Sequence, residues 1–246
     1  MSSNQKQFAL IGLAAGLFAS IMLTGVVGNA SHGNYLAIPL ILLALVFAVG
    51  AIWLGIWLNS RRIQLMYRRP TPDKLIDHYH AACVQAKARR IPNSDAAAAH
   101  LSALAATIYG QYDRARQELA AVDWDETPAL FRGHRLDILA LIALFEKRDV
   151  AKARQLEQGN PSDTTPILRG AIQVAIGDAD AATIKRIERA ATRGTGAIPA
   201  VCAWALSLYA DRSGQPEAVG RYTDMAREAA PHFAALPPAK PVRALA

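Results

Sequence analysis

Two long apolar runs open the chain, Phe8 to Val27 and Tyr35 to Leu58, and no side chain from Phe8 to Leu58 carries a formal charge. Neither run shows the polar stripe of a helix lying on a soluble core. Each reaches the roughly 20 residues that cross the hydrocarbon layer of a bilayer. The pattern therefore predicts two transmembrane helices. Their connector, Gly28-Asn29-Ala30-Ser31-His32-Gly33-Asn34, is rich in turn formers, which predicts an antiparallel hairpin. The first run is too long for the apolar part of a cleaved signal peptide.

Beyond residue 70 apolar positions recur three and four apart, the spacing of one helix face. Gly, Pro, Asn and Asp interrupt them at intervals that suit helix ends. The expected helices run over about Lys74 to Arg90, Ala96 to Tyr109, Gln111 to Val122, Leu136 to Phe145, Asp149 to Gln158, Ile167 to Ile176, Ala179 to Thr192, Ile198 to Ala210 and Pro216 to Ala230. Almost nothing reads as strand. The expected fold class is all-α, with a transmembrane hairpin over 1–62, a basic juxtamembrane linker over 63–73, a helical domain over 74–232 and a proline-rich tail over 233–246. Pro237, Pro238 and Pro241 cannot continue a helix.

Charge bears on topology before it bears on partners. The net charge is +7, and the first 70 residues hold Lys6, Arg61, Arg62, Arg68 and Arg69 with no acidic residue, so most of the excess lies there. Lys and Arg flanking a span stay on the cytoplasmic side. An integral protein of the bacterial inner membrane is expected, with two spans and both termini cytoplasmic. Trp53, Trp57 and Tyr35 would anchor its depth, and the four arginines would meet the membrane surface. The near balance of charge after residue 70 argues against nucleic acid as a partner.

The first span carries a stripe of small residues, Gly12, Gly16, Ser20, Thr24 and Gly28, and the second offers Ala44, Ala48, Ala51 and Gly55. Small residues let helices approach closely in lipid, which fits pairing within the hairpin. Neither span contains Asp, Glu, Lys, Arg or His, the usual marks of an ion or proton path, so transport is not expected.

In the helical region Gly110 stands in a turn between two helices, with Tyr112 two residues later, Ala115 three further on, Ala99 and Ala103 in the preceding helix and Pro128 beyond. This arrangement resembles a tetratricopeptide repeat, a pair of antiparallel helices with small residues at their crossing. Further pairs resemble diverged units, with turns at Arg148, Gly177 and Gly214, at irregular intervals compared with the family's regular 34 or so. The resemblance implies a repeat array with a protein-binding face, and Ala99, Ser102, Ala106 and Tyr112 are its expected contact positions.

Catalytic chemistry finds little support. His78 and His80 lie two apart on a helix and point to different faces, so they cannot share a metal. His100 and His134 lack ligand-spaced neighbours and read as surface or interface histidines. Asp123, Asp125 and Glu126 around Trp124 read as a solvated turn. Cys83 and Cys202 fit small buried residues better than a disulfide or metal site. No phosphate loop, dinucleotide fingerprint, nucleophile elbow or H-E-x-x-H occurs. Neither an enzyme nor a cofactor is expected. The expected function is that of a membrane-anchored adaptor or scaffold holding an unidentified protein partner at the cytoplasmic face. The alternative is an accessory subunit of a larger membrane complex, attached through the hairpin. Oligomeric state is left open.

Overall fold

The computed structural model describes residues 37–162 and 166–236. The helices are α1 (Ala37–Tyr67), α2 (Asp73–Ala88), α3 (Ser94–Ile108), α4 (Tyr112–Ala120), α5 (Ala129–Lys147), α6 (Val150–Gln158), α7 (Ile167–Ile176), α8 (Ala181–Arg193), α9 (Ile198–Arg212) and α10 (Pro216–Ala229). Among the described residues there is no strand.

The expected membrane hairpin is not upheld. No helix among the described residues is long and apolar enough to cross a membrane, and the two-span inner-membrane placement falls with it. From Ala37 on, the residues assigned to the second span belong to α1, which does not stop at Leu58 but continues through Arg61 and Arg62 to Tyr67. Past Leu58 that helix turns polar, with Asn59, Ser60, Arg61 and Arg62 in succession. The first span, the connector and the stripe Gly12, Gly16, Ser20, Thr24 and Gly28 lie outside the described residues. Arg61, Arg62, Arg68 and Arg69, the residues expected at the membrane surface, follow the run assigned to the second span. All four are exposed, and the Arg61 guanidinium lies 5.1 Å from the centre of the Trp57 ring.

The chain divides into two units between Arg62 and Ile63. In the first, Leu45, Val46, Phe47, Ile52, Trp53 and Ile56 are exposed along α1.

In the second, Tyr67 is buried and Tyr109 donates its hydroxyl to the backbone oxygens of Tyr67 at 2.9 Å and Arg69 at 2.8 Å. These bonds serve carbonyls at the end of a helix that have no partner within it.

After α2, four antiparallel pairs follow: α3 with α4, α5 with α6, α7 with α8 and α9 with α10. The hinge residue of each pair sits in the left-handed region, with φ of 73° at Gly110, 52° at Arg148, 90° at Gly177 and 67° at Gly214. The next amide then turns back to a carbonyl of the helix just ended: Gln111 to Ala106, Asp149 to Ala143, Asp178 to Gln173, Gln215 to Ala210. Such bonds satisfy orphan carbonyls at a helix C-terminus. Arg148 is the non-glycine of the four, and a side chain there costs roughly 1–2 kcal/mol. The returning helix is capped at its start where an aspartate is available: Asp149 accepts from the Lys152 amide at 2.9 Å and Asp180 from the Thr183 amide at 2.7 Å.

Two helices form the interior. Ala96, Ala99, Ala103, Ala105 and Ala106 of α3 are buried, their small side chains letting α2, α4 and α5 approach. On α9, Pro199 through Ser207 is buried without interruption beneath α7, α8 and α10. The chain after α10 remains part of this core. Phe233 is buried against Phe145 and Trp204, with ring centres 5.1 and 6.5 Å away. The amide of Ala234 donates to Ile108 O at 2.9 Å.

Candidate binding cleft

The ends of α5 and α7, one face of α9 and the chain after α10 do not close completely. Between them lies a cleft of about 570 Å³. Phe145, Trp204, Leu208 and Leu236 supply its apolar lining, and Val150 stands on its rim, exposed. Phe145 and Trp204 meet edge to face, with centroids 4.7 Å apart and planes at 84°, a favoured aromatic geometry that fixes both rings.

Two cations line the same space. Arg212 donates from Nη1 to Ala175 O at 2.7 Å and from Nη2 to Val174 O, so its guanidinium caps the C-terminus of α7. Arg148 is exposed at the mouth and forms no ion pair among the described residues. Neither aspartate nor glutamate is among the described residues of the lining.

A second concentration of polar groups is buried inside the domain. The rings of His100 on α3 and His134 on α5 stack with centroids 4.6 Å apart. Asp137, one turn on from His134, is 2% exposed. Its Oδ1 accepts from Asn160 Nδ2 at 2.9 Å and its Oδ2 lies 3.8 Å from His134 Nδ1. Asn160 also donates to Gly133 O at 3.2 Å and accepts from the Ser162 amide at 3.0 Å. Arg169 continues the network, donating to Ser162 O at 2.8 Å and to Glu157 Oε1 at 3.1 Å, where Gln173 also donates at 2.7 Å.

Burial drives the His100 imidazole down to about 3, with the nearby His134 adding to the effect. It pushes the Asp137 carboxyl up, against the opposing pull of His134, Arg169 and Asn160. Stacked imidazoles hold their lone pairs in nearly parallel planes and do not converge on one ion. No group of three potential ligands that could hold a metal occurs among the described residues. The network is a polar bolt between α3, α5 and the α6–α7 connection. His100 and His134, read from the sequence as surface or interface histidines, belong to it.

The contact positions expected from the repeat resemblance lie elsewhere than on a surface. Ala99, Ser102 and Ala106 are buried in α3, and Tyr112 is half-buried. Small residues along α3 mark where its neighbours approach. The Ser102 hydroxyl has no hydrogen-bond partner. Ser102→Ala is accordingly expected to leave stability unchanged or to raise it by up to about 1 kcal/mol, since an unpaired buried hydroxyl is unfavourable. A loss of that size in urea denaturation would mean that the hydroxyl is satisfied.

The remaining candidates are dispersed. His80 pairs with Glu118 across α2 and α4 at 2.8 Å. The half-buried Cys83 thiol lies 3.4 Å from Asp95 Oδ1, and burial pushes the Cys202 thiol up to about 12. Trp124 is buried and its indole donates to Leu119 O, while Asp123 accepts from the Asp125 amide at 3.1 Å. The sequence offered no sign of the cleft, because its walls come from residues about 90 positions apart, from Leu144 to Leu236.

Comparison with protein-family models, with curated proteins and with solved structures finds no match to this chain.

Proposed function

We propose that the helical domain is a protein-binding adaptor, built of tetratricopeptide-like helix pairs, that docks a short segment of a partner in the cleft between α5, α7 and α9. The cleft carries this reading: it combines fixed aromatic rings with an exposed apolar rim and cationic groups. Recognition sites for extended or helical peptides have this makeup, an apolar surface for anchoring side chains and a few polar groups for orientation. The paired, antiparallel helices provide a rigid frame for it.

Selection of random displayed peptides on the full-length chain tests the proposal. Enriched peptides are expected to bind Val150→Arg at least tenfold more weakly, because a charged side chain on the exposed rim obstructs the cleft without entering the core. Leu208→Asp should abolish binding while circular dichroism stays helical. If no peptide is enriched, or if enriched peptides bind both folded variants unchanged, the proposal fails.

A further inference from the structure

The geometry points to an acidic ligand: a short segment of a partner protein in which glutamate or aspartate stands beside aliphatic or aromatic residues. This rests on the adaptor reading above and specifies what the cleft selects.

Charge is the first ground. The described lining contains Arg148 and Arg212 and no carboxylate. Four arginines elsewhere in the domain are paired with carboxylates, Arg114 with Asp73, Arg116 with Glu146, Arg154 with Asp178 and Arg169 with Glu157, while Arg132 bonds a backbone oxygen and Arg135 and Arg221 lie over aromatic rings. The two in the cleft are satisfied differently. Arg212 is held by backbone oxygens, which orient the guanidinium without neutralising it. Arg148 reaches solvent at the mouth. A cation held in place beside an apolar floor favours an anion that brings apolar neighbours, because partial exclusion of water strengthens the pairing.

Backbone conformation is the second. At the hinges equivalent to Arg148 the chain has Gly110, Gly177 and Gly214, which adopt positive φ without hindrance. Arg148 takes the same conformation with a long side chain, at φ 52°. Its own fold would be better served by glycine. A residue held against its conformational preference at the edge of a cleft fits a role in binding.

Full-length protein is titrated by fluorescence anisotropy into three identically labelled short peptides, in which leucine alternates with glutamate, glutamine or lysine. The glutamate peptide is expected to bind at least tenfold more tightly than the glutamine peptide, with an affinity that falls as salt is raised, and the lysine peptide not to bind. Arg148→Gly provides the sharper readout. It should raise the melting temperature and, in the same protein, weaken the glutamate peptide about tenfold, whereas Arg148→Lys should retain most of the affinity. Equal binding of the glutamate and glutamine peptides, or unchanged affinity in Arg148→Gly, overturns the inference. So does displacement of the glutamate peptide by dodecanoate at lower concentration than by unlabelled peptide, which would assign the cleft to small amphiphiles. Selected peptides that need the cleft but ignore charge leave the adaptor reading intact while removing this one. If no peptide binds at all, both fall.

Discussion

Gly133→Ala is expected to destabilise the domain by about 3 kcal/mol, although alanine is the better helix former. Inside a helix, replacing glycine with alanine ordinarily gains roughly 0.5–1 kcal/mol. Gly133 lies within α5 and is buried. A methyl group there would sit 2.6 Å from Asn160 Oδ1 and 2.9 Å from Ser162 Cβ. Overpacking of this kind costs about 1–3 kcal/mol. Relief by moving Asn160 would leave the Asp137 carboxylate buried without its donor, at a further 1–3 kcal/mol or so.

Gly220 in α10 is the internal control, since nothing lies within 4 Å of a methyl group added there. Gly220→Ala should be stabilising by the ordinary propensity gain. Urea denaturation of the two variants compares the effects directly. If Gly133→Ala equals or exceeds the parent in stability, the close approach between α5 and the α6–α7 connection is not a feature of the protein.

Acidification is expected to weaken the fold through His100. In the unfolded chain this histidine takes up a proton below about pH 6.5, but in the folded domain it stays neutral until about 3. The unfolded state thus binds more protons across that window. Stability should fall toward acid by up to about 1.4 kcal/mol per pH unit, or about 2 kcal/mol between pH 6.5 and 5.

Asp137 works in the opposite sense. Its carboxyl is raised by burial, so the folded domain protonates it before the unfolded chain does, and the cost of its buried charge is relieved as the pH falls. The two contributions therefore oppose each other wherever both groups titrate. Unfolding free energies measured at several pH values for the parent and for His100→Leu check this: the variant should show a flatter dependence by about one proton. Parallel curves for the two would remove His100 as the cause.

Local order was readable from the residues themselves. Turns at positions 110, 148, 177 and 214 were placed from Gly110, Gly177, Gly214 and the break at Arg148, and all four have positive φ. The helix start expected at Asp149 carries a side-chain cap, while the helix expected from Ala179 starts at Ala181, capped by Asp180. These features depend on interactions spanning at most a few residues, so spacing and residue type suffice for them. The run from Tyr35 to Leu58 shows the limit of such reading. Its lack of charge predicts a membrane span, yet no described helix is long and apolar enough for one, and α1 goes on to Tyr67.

What the sequence alone determined is a domain built, over its described residues, of successive helical hairpins, because helix periodicity, capping and glycine turns are written within a few residues of where they act. Only the tertiary structure decided which faces are inside. Periodicity marks a small-residue face on α3 but does not say whether another protein or α2, α4 and α5 will cover it, and Ala99, Ser102 and Ala106 prove to be interior. The stacked histidines, the bolt through Asp137 and Asn160, and the cleft joining Phe145 to Leu236 exist only once distant segments pack, since burial and charge pairing depend on neighbours in space.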